Sequence, residues 1–169
     1  ELGLSIVRDG KIQNDKKEFP FLDEFLGKDI RTINKTKEGV FLIGTTSGLY
    51  TIKDKKKNRL KAFKKISIQI IFKAKNDSIW IGTKKKGLYQ LDSDFKATNY
   101  RDNEDVISIN EEEDKNEKEN KLIVSYKDKG LFSYALTDSV NEKPFSPVKK
   151  FEQANRFLIC KNEITGGLS

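Results

Sequence analysis

Apolar residues in this chain come in short runs bounded by clusters of Gly, Asn, Asp and Lys. No window keeps helical spacing over the roughly 10 to 12 residues that would argue for a helix, so the runs predict strands. Phe41-Leu42-Ile43, Ile79-Trp80-Ile81 and Leu122-Ile123-Val124 are continuously apolar rather than alternating. A strand with one wet face alternates, whereas a strand covered on both faces does not. Each of these runs is therefore expected in a sheet that has a packed neighbour on either side.

The residues after each run repeat as well. Ile79-Trp80-Ile81-Gly82-Thr83 leads through Lys84-Lys85-Lys86 to Gly87-Leu88-Tyr89, and Phe41-Leu42-Ile43-Gly44-Thr45 leads through Thr46-Ser47 to Gly48-Leu49-Tyr50. A weaker copy runs from Leu122 to Gly130-Leu131-Phe132. The pair Gly-Leu begins at positions 3, 48, 87, 130 and 167, at intervals of 45, 39, 43 and 37 residues. A period of about 40 residues filled with strands marks the blades of a β-propeller.

The best unit has strands over Ile68 to Phe72, Ser78 to Thr83, Leu88 to Leu91 and Phe95 to Tyr100. The preceding unit has Ile30 to Asn34, Val40 to Thr45, Leu49 to Lys53 and Leu60 to Lys64, and the following one Val106 to Ile109, Lys121 to Ser125, Leu131 to Ala135 and Phe145 to Lys149. Gly3 to Val7 and Lys11 to Gln13, joined by the turn Arg8-Asp9-Gly10, read as third and fourth strands, and Arg156 to Cys160 as an inner strand. The fold class is thus all-β, with propeller blades of four antiparallel strands. The parse is a partial blade 1–22, blades 28–66, 67–101 and 104–150, and a partial blade 151–169.

Closure of a propeller needs roughly 4 to 8 blades. The chain is therefore read either as a fragment of a larger propeller or as a small four-bladed ring completed by its own N-terminal strands. The pattern lapses after Pro147 and the first residue is Glu1, which favours the fragment. Open blade edges would then pair with other blades or with a second copy. Gly44, Gly82 and Ser125 place a small residue where backbones are expected to approach closely, and Gly48, Gly87 and Gly130 supply positive φ on entry to the third strand.

The spelling Ile79-Trp80-Ile81-Gly82-Thr83…Gly87-Leu88-Tyr89 resembles the two-component regulator propeller repeats. These occur in hybrid histidine kinases and related transcriptional regulators of Bacteroidetes-type bacteria. The resemblance covers most of the chain, strongest over residues 79–89, then 42–50, then 122–132. It implies a periplasmic or extracellular sensor propeller that responds to a carbohydrate or another environmental ligand. Any link to the membrane would run through other parts of the parent chain, and signalling output is implied by the resemblance alone.

Composition adds mainly exclusions. With 36% hydrophobic and 35% charged residues, 11 Phe, 5 Tyr and one Trp, the chain reads as folded and soluble. Its apolar runs fall far short of the roughly 20 residues of a membrane helix. There is no His, the commonest general base and metal ligand. Cys160, the sole Cys, follows Phe157-Leu158-Ile159 and reads as a small buried hydrophobe. The run Glu111 to Asp114 is interrupted downstream by Lys115, Lys118 and Lys121 and lacks the Gly of a calcium loop, so it reads as a solvated hairpin. No catalytic residue, metal or cofactor is expected.

The net charge of +7 comes largely from lysine mixed with Asn and Asp, a balance that does not single out nucleic acid as a partner. The candidate ligand-binding residues are Lys84, Lys85, Lys86, Lys127 and Lys129, in turns between second and third strands. In a propeller these turns share a face with the connections between blades, here near Asp23 to Asp29, Lys65 to Ser67 and Asn99 to Asp105. A basic patch there suits an acidic glycan or a partner's carboxylates. Lys53, Lys55, Lys56 and Lys57 fall on the opposite face and read as solvated, and Trp80 reads as core rather than as a sugar-stacking platform. The leading function is a non-enzymatic sensor or ligand-binding segment. The alternative is a protein-interaction scaffold unconnected to signalling.

Overall fold

The computed structural model describes residues 3–13, 17–113, 120–136 and 149–151. The described chain is all-β. A hairpin pairs β1 (Ile6–Arg8) with β2 (Lys11–Gln13). The first four-stranded sheet holds β3 (Ile30–Lys35), β4 (Phe41–Thr45), β5 (Gly48–Lys53) and β6 (Lys56–Arg59). The second holds β7 (Ile68–Lys73), β8 (Ile79–Thr83), β9 (Leu88–Leu91) and β10 (Ala97–Arg101). The third holds β11 (Val106–Glu112), β12 (Lys121–Tyr126), β13 (Gly130–Ala135) and β14 (Lys149–Phe151). Each sheet is an antiparallel meander whose sequence neighbours are also its spatial neighbours.

Turn chemistry explains the meanders. Asp9 and Gly10 take φ of 52° and 71° between β1 and β2, and Asp54 and Lys55 take 48° and 62° between β5 and β6. Paired positive φ values give a tight turn whose twist matches the strands it joins. The second of these turns shifts one predicted element. Leu60 to Lys64 is not the fourth strand of the first sheet: that strand is Lys56–Arg59, and Lys61–Phe63 forms a single 3₁₀ turn. The spacing of Leu60 and Phe63 serves instead to plug the seam between sheets, with Phe63 buried edge-on to Tyr89 at 5.1 Å. A wholly polar strand is well suited to a solvent-facing sheet edge.

One smaller shift has a local cause. The fourth strand of the second sheet begins at Ala97, because the Asp92 carboxylate accepts the N–H groups of Asp94 and Lys96 and holds Phe95 in a turn at φ 61°. Of Phe145 to Lys149, only Lys149 falls within the described residues, while Arg156 to Cys160 lies outside them.

The central strand β8 is buried on both faces, and so is β4 except at Phe41. Leu42 of β4 points into a core shared with Ile68, Ile71, Ile79 and Ile81 of the second sheet, while Ile43 joins Phe19, Phe25 and Tyr50 on the other face. In β8, Ile79 and Ile81 face the first sheet, whereas Trp80 faces the third among Val106, Leu122, Val124 and Tyr126. The small residues that end these strands make room for the next sheet's side chains. A Cβ on Gly44 would lie 2.6 Å from Ile68 Cγ2, and one on Gly82 2.6 Å from Val106 Cγ1. The backbone approach expected there occurs at Gly87 instead, where φ is 78° and a Cβ would stand 1.3 Å from the Arg101 carbonyl oxygen.

The first strands of the three sheets lie side by side, β3 against β7 and β7 against β11. Asn34 Nδ2 donates to the Ile71 carbonyl at 3.3 Å, and the Ile71 N–H donates to Thr32 Oγ1 at 3.3 Å. All three strands carry a bulge at the same place, so that Arg31, Gln69 and Ile107 are extra residues in the pairing. The acidic run is more than a solvated loop. Glu111 accepts the Lys75 N–H at 2.8 Å and Asn120 Nδ2 at 2.6 Å, and Glu113 pairs with Lys75, fastening the third sheet to the second.

Candidate functional site

The turns that come after the second strands are locked to the segments that precede the first strands. Thr46 N–H donates to the Asp29 carbonyl at 3.2 Å, Lys84 N–H to that of Ser67 at 2.9 Å, and Lys127 N–H to that of Asp105 at 2.8 Å. The connections between sheets dock on the same turns, Lys65 N–H to the Ser47 carbonyl at 3.0 Å and Gly87 N–H to that of Glu104 at 2.9 Å. The expected sharing of one face by turns and connections is present at both seams.

At the seam between the second and third sheets these segments enclose a recess of about 380 Å³, lined by Gln69, Ile70, Lys84, Asp105, Val106, Ile107 and Lys127. Lys84 arrives from the β8–β9 turn and Lys127 from the β12–β13 turn, one from each sheet, and both are exposed. Asp105 lies between them, and its Oδ1 accepts the Lys85 N–H at 2.5 Å. Neither lysine ammonium forms an ion pair among the described residues. Two cations, an amide and a carboxylate above apolar walls suit a small polar ligand bearing negative charge.

The recess thus gathers two of the five lysines singled out by sequence. Lys85 belongs to it through its backbone, Lys86 is held at its carbonyl by Asn99 Nδ2 at 3.3 Å, and Lys129 lies outside the lining. Sequence reasoning missed Gln69, and it did not single out Asp105 within the connection Asn99 to Asp105 that it placed on this face. Their only signal was their place beside the start of a first strand, which becomes meaningful once the sheets abut.

The same seam is also held by aromatic contacts. The Arg101 guanidinium lies 4.3 Å from the centre of the Phe132 ring and 4.8 Å from that of Tyr126, clamping the second sheet to the third. Tyr126 Oη and Tyr134 Oη share a hydrogen bond at 3.0 Å. Burial first, then the Tyr134 hydroxyl, pushes the Tyr126 phenol far above its usual range. Among the described residues no group of His, Cys, Asp and Glu has a metal-holding arrangement.

Trp80 lies below this face with 2% of its surface exposed, which removes it as a stacking platform. Lys57, expected in solvent on the opposite face, is instead held against the segment before β3. It covers the rings of Phe25 and Tyr50, at 5.5 and 5.3 Å, and pairs with Glu24.

No family model and no curated protein matches the chain. Among solved structures, a similar one is the extracellular domain assigned to a hybrid two-component system of B. thetaiotaomicron. It matches at a TM-score of 0.57 and 19% identity over 78% of this chain, and the match spans 17% of that chain. The two proteins share an all-β fold over that region. No described helix of the present chain is long and apolar enough to cross a membrane.

Proposed function

We propose that the three sheets are propeller blades and that the chain is a non-enzymatic ligand-sensing segment of a bacterial two-component regulator. The side-by-side first strands and the face-to-face sheets support the propeller reading. The fold shared with an extracellular domain of a hybrid two-component system supports the setting, periplasmic or extracellular. The observation that carries ligand binding is the recess between Lys84 and Lys127.

The ligand proposed is a small carbohydrate bearing a carboxylate. Lys84 and Lys127 would take the carboxylate from opposite sides, Gln69 and Asp105 would meet hydroxyl groups, and Ile107 would lie against the apolar face of the ring. Binding of this kind weakens as salt rises, because the lysines are exposed.

Calorimetric titration of the chain with glucuronic acid, with glucose as the neutral control, tests the reading. Glucuronic acid is expected to bind and glucose not to. The double variant Lys84→Glu/Lys127→Glu is expected to bind at least about tenfold more weakly, a difference of about 1.4 kcal/mol. Equal heats for the two sugars, or unchanged binding by the variant, would remove the recess as the site.

A further inference from the structure

Tyr50 and Tyr89 hold the same place in the first and second sheets, opposite Ile43 of β4 and Ile81 of β8, yet their surroundings differ in charge. Across the outer strands, Arg59 stands opposite Tyr50 and Lys57 opposite Ile52, where the second sheet has Asn99 and Ala97. The Asp29 and Ser67 carbonyls accept equivalent turn N–H groups, so Lys28 and Ile66, the residues before them, also correspond. Three cations of the first sheet thus stand where the second has an amide and two hydrocarbons.

The repeat does not need these charges. Arg59 Nη2 donates to the Ser47 carbonyl at 2.6 Å, and Asn99 Nδ2 makes the equivalent bond to the Lys86 carbonyl at 3.3 Å. An amide therefore suffices to hold the turn. In the first sheet, Lys28 Nζ, Lys57 Nζ and Arg59 Cζ nevertheless lie 5.9, 5.3 and 5.5 Å from the centre of the Tyr50 ring. All three residues are half-buried, and Glu24 is the sole carboxylate paired with any of them among the described residues. Three cations against one carboxylate leave two positive charges in excess, and like charges crowded out of bulk water repel without a counter-ion. A phosphate monoester carries about −1.5 to −2 at neutral pH.

The floor beneath the cations has unused hydrogen-bonding groups. Tyr50 is 5% exposed, and its hydroxyl has no hydrogen-bond partner among the described residues. A buried phenol normally finds one. Arg59 Nε is buried and has none either. We propose that Lys28, Lys57, Arg59 and the Tyr50 hydroxyl form an oxyanion site that takes a phosphate group. Arginine offers a fork of donors and lysine a point charge, both suited to phosphate oxygens. None of these residues lines the recess of Lys84 and Lys127, so the site is separate from the one proposed for the sugar carboxylate.

Calorimetric titration with inorganic phosphate and with glucose 6-phosphate, at fixed ionic strength and about pH 8, where both are dianions, tests the site. Both are expected to bind. Lys28→Gln and Arg59→Gln are each expected to weaken binding at least about tenfold. The second variant keeps an amide for the Ser47 carbonyl, as Asn99 provides in the second sheet, so its fold is preserved. Tyr50→Phe, which removes only the hydroxyl, is expected to weaken binding as well, and Lys84→Glu/Lys127→Glu to leave it unchanged. Tighter binding of the ester would identify a phosphorylated compound as the ligand, and equal or weaker binding the free anion. No binding of either phosphate, or binding undiminished in Lys28→Gln and Arg59→Gln, would overturn the proposal. So would its loss in Lys84→Glu/Lys127→Glu, which would move the phosphate to the recess.

Discussion

Trp80 sits in the seam between the second and third sheets, its indole N–H donating to Ser78 Oγ at 2.9 Å and its ring 5.5 Å from that of Tyr100. Trp80→Ala is expected to lower stability by about 3 to 5 kcal/mol in urea denaturation. A loss below about 1 kcal/mol would place the ring in solvent and contradict its burial. At this scale the sequence was legible wherever a residue's role is set by its own run. The unbroken apolar triplets foretold Leu42, Trp80 and Val124 in the core. It was not legible for lysines, whose long stems obey whatever lies beneath them. Lys57 lies over aromatic rings and Lys84 lines a recess with Lys127, yet nothing within either lysine run distinguishes them from the others.

The turns decided how well the strands could be read. Asp9-Gly10 announces its hairpin, whereas Asp54-Lys55 makes a similar turn without Gly and so hides the start of β6. A non-Gly residue at positive φ costs about 1 kcal/mol or more, so Asp54→Asn/Lys55→Gly is expected to stabilise the chain by about 1 kcal/mol. A higher midpoint in thermal unfolding would confirm this, and an unchanged or lower one would mean that the turn's strain is relieved elsewhere. The bulges of β3, β7 and β11 could not be read at all, because a bulge is a relation between two strands and leaves no mark on either alone. The same holds for the Arg101 clamp, which joins residues of different sheets.

For the molecule as a whole, the roughly 40-residue period conveyed repeated four-stranded units, while the seam between second and third sheets that forms the recess emerged only in three dimensions. Several phenols lie in or beside such seams. Burial raises the phenol pKa of Tyr89, Tyr100 and Tyr126, Tyr126 furthest. The folded chain therefore holds these protons where the unfolded chain releases them, above pH of about 10. Their contribution to stability is fully present below that value and is lost as pH rises beyond it. Denaturation of the chain and of Tyr126→Phe between pH 8 and 11 should show the advantage of the unsubstituted chain shrinking above pH 10, and a constant difference would refute the shift. The repeated bulge has a different consequence. Arg31, Gln69 and Ile107 hold the same place in three sheets yet are a cation, an amide and a hydrocarbon. An unpaired position has no partner across the ladder to satisfy, so its chemistry can be rewritten without renegotiating the scaffold. Such places let one architecture acquire new specificities by single substitutions.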